Sequence, residues 1–213
     1  MSLTTNSSEQ KVNQQYDNMA SWYDRRWQSY INKTLAICWQ WSQISEADKV
    51  LDVACGTGEL AKLILEHNPT QQISGIDLSA NMLQQAREKC QAYSKVEFQQ
   101  ATANKLPFDN ESFDLVFCVS AFHYFDKPLL ALSEIERVLK PKGKLVILDW
   151  CRDFLSVKAI DIGLKIFDRA YRGCYTQLEL HQLLTEAELT IVKADKFKID
   201  WWWGMAIATA IKQ

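Results

Sequence analysis

Short, mostly apolar runs alternate along this chain with longer stretches in which apolar residues recur every three or four positions. The short runs read as strands at Lys49 to Val53, Gln72 to Ile76, Lys95 to Gln99, Phe113 to Val119 and Lys144 to Leu148. The longer period predicts helices over Glu59 to His67, Ala80 to Ala92 and Pro128 to Leu139. Strands alternating with helices in this way imply right-handed crossovers and a parallel, doubly wound sheet. The last third differs. Val157, Ile160, Leu164, Phe167 and Tyr171 recur at helical spacing with charged residues between them, and a further helix is predicted from Gln177 to Ala187. Ile191 to Ile199 and Met205 to Ile211 are then joined by so short a turn that they must run antiparallel. The prediction is an α/β fold: one domain over residues 1–213, with a mostly parallel seven-stranded sheet ending in an antiparallel hairpin.

Ahead of the first strand, residues 1–8 are short, polar and expected to be disordered. From Glu9 a helical pattern carries Tyr16, Trp22, Tyr23, Trp27, Tyr30, Trp39 and Trp41. Such aromatics belong either to a core or to a lid over the carboxyl edge of the sheet, so residues 9–45 are read as a helical lid. Residues 155–173 are read as a helical insertion beside a substrate pocket.

The candidate chemistry starts where the first strand ends, in Val50-Leu51-Asp52-Val53-Ala54-Cys55-Gly56-Thr57-Gly58-Glu59. Gly56 and Gly58 allow a sharp turn with positive φ and let a ligand lie against the main chain. A glycine turn also simply joins many strands to helices. Asp77 favours the ligand, because it ends the next strand about twenty residues on, where a carboxylate can take both hydroxyls of a ribose. An adenosine-containing ligand is therefore expected.

Composition narrows the class. The net charge of -2 has its signs interspersed, which gives no face for nucleic acid. The six cysteines are scattered without C-x-x-C spacing, so neither structural zinc nor a redox dithiol is expected, and a reducing cytoplasm suits them. No signal peptide or transmembrane segment is visible.

Four stretches in order, VLDVACGTGELA at Val50 to Ala61, IDLSANML at Ile76 to Leu83, LPFDNESFDLVFC at Leu106 to Cys118 and LKPKGKLVILDW at Leu139 to Trp150, resemble the class I S-adenosylmethionine-dependent methyltransferases. The likeness is strongest to the branch of ubiquinone and menaquinone C-methyltransferases and many small-molecule methyltransferases. It implies a Rossmann-like fold and S-adenosylmethionine as cofactor, with S-adenosylhomocysteine as product. It further implies that Ala54, Gly56 and Gly58 hold the methionine part, supported by Asp52. Asp77 would take the ribose, Leu78 and Met82 would pack on adenine, and Cys118 and Ser120 would meet the amino group. Family members usually carry an acid before the LPF loop to receive the adenine amino group. Here Thr102 stands in that position, so the contact passes to its hydroxyl or to backbone at Ala103.

Methyl transfer is an in-line displacement that rests chiefly on alignment, worth about 7 to 11 kcal/mol. His123, just past the fourth strand, is the candidate general base. Tyr124, Tyr16 and Tyr23 are candidates to position the acceptor or flank the sulfonium, and Phe122 to line the acceptor pocket. The loop Ser120-Ala121-Phe122-His123-Tyr124 lacks the Asn-Pro-Pro-aromatic signature of base methylation. A small hydrophobic or amphipathic acceptor is expected, and the protein as a monomer or homodimer. Two rivals stand beside this reading. Gly56 to Ala61 also satisfies the G-x-G-x-x-A of NAD-dependent oxidoreductases, and a non-catalytic binding protein could keep the same turn.

Overall fold

The computed structural model describes residues 6–213. Its centre is a seven-stranded sheet in the order β3-β2-β1-β4-β5-β7-β6. The strands are β1 (Lys49–Val53), β2 (Gln72–Asp77), β3 (Val96–Gln100), β4 (Phe113–Val119), β5 (Leu139–Trp150), β6 (Leu189–Lys198) and β7 (Gly204–Lys212). The first five run parallel, while β7 is antiparallel to both β5 and β6. The connecting helices are α1 (Ser7–Met19), α2 (Tyr23–Ser42), α3 (Glu59–His67), α4 (Ala80–Cys90), α5 (Pro128–Val138), α6 (Leu155–Phe167) and α7 (Gln177–Glu186).

The central strands are nearly continuous apolar runs because both faces are covered. In β4, Val116 and Cys118 join one core with Leu132 and Ile135 of α5 and Leu180 and Leu184 of α7. Leu115 and Phe117 point the other way, into a core with Leu35 and Cys38 of α2 and Leu60 and Ile64 of α3. All six cysteines are free and buried.

Three expectations need correction. The tail prediction fails at its end: residues 1–5 lie outside the described residues, but Asn6 already caps α1. Its Oδ1 accepts the Ser8 and Glu9 N–H groups at 2.9 and 3.0 Å, and Glu9 accepts the Asn6 N–H at 3.0 Å, a reciprocal capping box. The strand expected to start at Lys144 begins at Leu139, and Lys140 to Gly143, the gap between the expected helix and strand, is a bulge inside it. Phe113 pairs with Leu139 and Leu115 with Lys144, so the intervening β5 residues loop out. Finally, α6 stops at Phe167, leaving Tyr171 beyond it, and Phe167 is exposed while Asp161 is buried.

Candidate active site

The carboxyl ends of β1, β2 and β4 open into one crevice with about 1170 Å³ of atom-free space, part of it continuous with solvent. It lies where the strand order reverses from β1 to β4, the topological switch point at which open α/β sheets bind ligands. Two of its edges are non-glycine residues in the left-handed region, Ala54 (φ 59°) after β1 and Ser120 (φ 55°) after β4. Held conformations of this kind cluster at ligand sites.

The two glycines divide their work. A Cβ on Gly56 (φ +54°) would meet nothing within 4 Å, so its backbone is open to the crevice. A Cβ on Gly58 (φ +78°) would lie 2.8 Å from the Ala86 Cβ. Gly58 thus lets α3 close against α4, and it does not line the crevice.

Asp77 holds the turn together. Its two oxygens accept the Gly56 N–H at 2.9 Å and the Ser79 N–H at 2.8 Å, and each oxygen keeps a second acceptor site for a ligand hydroxyl. Burial raises its pKa above the ordinary carboxylate value, and the backbone N–H groups oppose the rise. Asp52, 3% exposed, faces the same crevice and is pushed up to about 8 by burial and then by Asp77. A cation brought beside it would be met by an acid ready to ionise.

The far end is lined by Ile76, Leu78, Met82, Ala101, Thr102 and Ala103. Over it lies α1. Thr102 Oγ1 donates to the Glu9 carboxylate, which also accepts the Asn104 side-chain N–H at 2.9 Å. Other polar contacts tie down α1 and the start of α2. Ser79 Oγ donates to Asp17 at 2.5 Å, Thr57 Oγ1 donates to Asp24 at 2.5 Å, and Lys89 reaches Asp24 at 2.7 Å. Tyr16, Tyr23, Tyr30 and Tyr124 line the remaining wall, with the rings of Tyr16 and Tyr124 edge-to-face at 5.5 Å. Burial raises the hydroxyl of Tyr23 to about 12 and pushes those of Tyr16 and Tyr30 up as well, so all three stay neutral.

A family profile described as a methyltransferase domain matches residues 51–147. Demethylmenaquinone methyltransferases from strains of Staphylococcus aureus are 31% identical over 166 residues, spanning 71% of this chain and 65% of theirs. Over this domain the chain resembles the class I methyltransferases, and it spans just under two thirds of the length of the curated relatives it matches. Among solved structures, a SAM-dependent methyltransferase from Methanosarcina mazei overlays with a TM-score of 0.70 at 19% identity, covering 83% of this chain and 96% of that one. The [4+2]-cyclase SpnF overlays at 0.80 and 19% identity, covering 100% and 99%. The methyltransferase fold therefore also carries a protein described by another reaction, and fold alone does not fix chemistry.

Within this methyltransferase domain the structure gathers Asp52, Ala54, Gly56, Asp77, Leu78, Met82, Thr102, Ala103, Ser120, Tyr16, Tyr23 and Tyr124 around one crevice. Four expected site residues stand elsewhere. Gly58 serves helix packing, as above. Cys118 is 0% exposed within β4, paired with Val53 and Ile147, and its side chain belongs to the core. Phe122 is 0% exposed against Phe125 and Tyr175. His123 is 2% exposed and drawn inward by Asp149, which accepts its backbone N–H at 2.9 Å and lies 2.6 Å from Nδ1. Its ring stacks on Trp150 at 4.1 Å and sits against Tyr124 at 4.5 Å, off the crevice wall.

Glu9 and Tyr30 line the crevice without having been singled out. The one local signal at Glu9 is the Asn6-x-x-Glu9 capping pattern, which marks a helix start and says nothing of the crevice. Tyr30 Oη is 2.7 Å from Ser120 Oγ and accepts the Trp150 Nε1–H at 2.8 Å, contacts that join three distant segments.

Proposed function

We propose that this protein transfers a methyl group from S-adenosylmethionine in line to a small acceptor with a hydrophobic or amphipathic body. The observation that carries the reading is the pairing, at one switch-point crevice, of an open Gly56 backbone with a carboxylate, Asp77, that ends the next strand. The methyltransferase-domain match supports the cofactor. The relatives' name, demethylmenaquinone methyltransferase, supports an acceptor with an apolar body, and so does a wall built from tyrosines with Val12, Ile31, Leu35 and Phe125.

When bound, S-adenosylmethionine supplies a sulfonium methyl whose leaving group is a neutral thioether. In this reading Asp77 accepts hydrogen bonds from the ribose hydroxyls, and Leu78 and Met82 pack on the adenine. Asp52 answers the positive charge of the methionine part, next to backbone at Ala54 and Gly56. The faces of Tyr16, Tyr23 and Tyr124 are suited to a cation and to an aromatic or apolar acceptor. Enclosure by α1 excludes water, and rate derives from alignment. His123 positions Tyr124 from behind, its Nδ1 fixed on Asp149.

Calorimetric titration with S-adenosylmethionine, S-adenosylhomocysteine and NADH tests the cofactor. Micromolar binding of the first two without the third is expected. Binding of NADH alone rejects the reading in favour of an oxidoreductase, and binding without turnover across quinone, phenol and amine acceptors leaves a non-catalytic binder. A general base contributes about 10² to 10⁴ in rate. His123→Gln should therefore lower kcat less than tenfold while leaving cofactor affinity intact; a larger loss, with the acid limb of the pH profile removed, would restore the base role.

A further inference from the structure

The outer face of α6 is apolar where a surface helix is ordinarily polar. Leu155, Ile162, Ile166 and Phe167 are 84, 55, 70 and 86% exposed, and the first three share one stripe of the helix. The inward face carries Asp161 instead, which accepts the Tyr171 hydroxyl at 2.7 Å and the Cys174 N–H at 3.0 Å and pairs with Lys165 at 2.7 Å. These contacts fix the helix with its oily side out. Beside it, the turn between β6 and β7 exposes Trp201 and Trp202, at 78 and 62%. Asp200 holds that turn by accepting the N–H groups of Trp202 and Trp203, both at 2.9 Å.

The two features form one surface. Phe154, at the start of α6, fills the space where a Cβ on Gly204 would come within 2.1 Å of it. Lys198 Nζ lies 5.9 Å from the Phe154 ring and 5.6 Å from the Trp201 ring. The surface is also locally basic in a chain of net charge -2. Its carboxylates are engaged, Asp161 by Lys165, Asp153 by Lys196, Asp200 by backbone and Lys33, and Asp168 by the Ala170 and Tyr171 N–H groups without a cation. Lys158, Arg169 and Lys198 have no carboxylate partner among the described residues, so charge complementarity points to an anionic partner.

We propose that α6 and the β6–β7 turn form an interfacial surface that docks the protein on an anionic phospholipid bilayer. The apolar side chains enter the boundary between headgroups and acyl chains, where tryptophan is favoured, while Lys158, Arg169 and Lys198 meet lipid phosphates. No helix among the described residues is long and apolar enough to cross a membrane, so the association is peripheral. Tyr171, just past α6, packs 6.0 Å from the crevice residue Tyr124, which sets the docking face beside the crevice wall. Docking is independent of the methyl-transfer reading.

Cosedimentation of the full chain with phosphatidylcholine vesicles, with and without phosphatidylglycerol, tests this. Binding is expected on the anionic vesicles, weakened by salt. Trp201→Ser with Trp202→Ser, and separately Ile166→Ser with Phe167→Ser, should each lower partitioning by about tenfold or more with an unchanged melting temperature, since these side chains are exposed. Lys158→Glu with Lys198→Glu should remove the preference for anionic lipid. Absence of binding to either vesicle, or equal binding by the variants, would overturn the proposal. So would sedimentation equilibrium showing a lipid-free dimer that the same substitutions split, because the surface would then belong to a second copy.

Discussion

Asp52 is an acid that the fold keeps from water and to which the described residues offer no hydrogen bond, and its behaviour with pH follows from that. Its folded-state value, raised to about 8, lies above the ordinary unfolded one. The protonated form therefore supports the fold below the usual carboxylate range, and that support is lost as pH rises through about 8. Asp52→Asn, neutral throughout, should melt several degrees above the parent at pH 9 and close to it at pH 5; parallel curves would mean that Asp52 is already ionised at neutral pH. A cationic ligand draws out the same proton, so affinity for S-adenosylmethionine should rise between pH 6 and 8 in the parent and stay flat in the variant. Asp77→Ala should weaken binding of S-adenosylhomocysteine at least tenfold, and unchanged affinity would remove Asp77 from the ribose site. Asp77 was legible because a strand end and a fixed spacing place it. Glu9 was not, since its partner Thr102 stands 93 residues away, and no local pattern joins a capping glutamate to a distant loop.

Helix α1 owes its start to its own sequence and its place to its partners. Asn6 and Glu9 cap it locally, whereas its own Asp17, and Asp24 at the start of α2, set carboxylates over the first turns of α4 and α3, where the helix dipoles favour negative charge. Contacts of this sort, polar and at the rim, are what a cover that opens and closes would need, and hydrogen exchange tests the lid expected over residues 9–45. Hydrogen exchange of Ser7–Met19 should slow several-fold when S-adenosylhomocysteine binds, and Asp17→Ala with Asp24→Ala should speed it in the free protein; exchange indifferent to ligand would make α1 a fixed wall. The opposite case is α6. Its period of 3.6 announced an amphipathic helix, but periodicity says only that two faces differ. Tyr171 and Cys174, brought in from beyond the helix, decided that the face bearing Asp161 turns inward.

At the level of the whole molecule, β7 carries more than its late place in the chain suggests, because it lies between β5 and β6 and has two partners. Ile207, 1% exposed, pairs with Leu148 on one side and Asp195 on the other. Ile207→Ala should cost about 2 to 5 kcal/mol, read as a fall in urea midpoint at constant slope, whereas Ile166→Ala on the outer face of α6 should change it little. The strands and helices, the parallel sheet, the antiparallel ending, the glycine turn and Asp77 could all be read from the chain, since each depends on neighbours within a few residues or on one crossover. The insertion of β7 beside β5, the inward turn of His123 and Cys118, the arrival of Glu9 at the crevice and the outward face of α6 could not. Each depends on which distant surface wins a side chain, and that choice is made by burial and hydrogen bonding between segments that only the closed fold brings together.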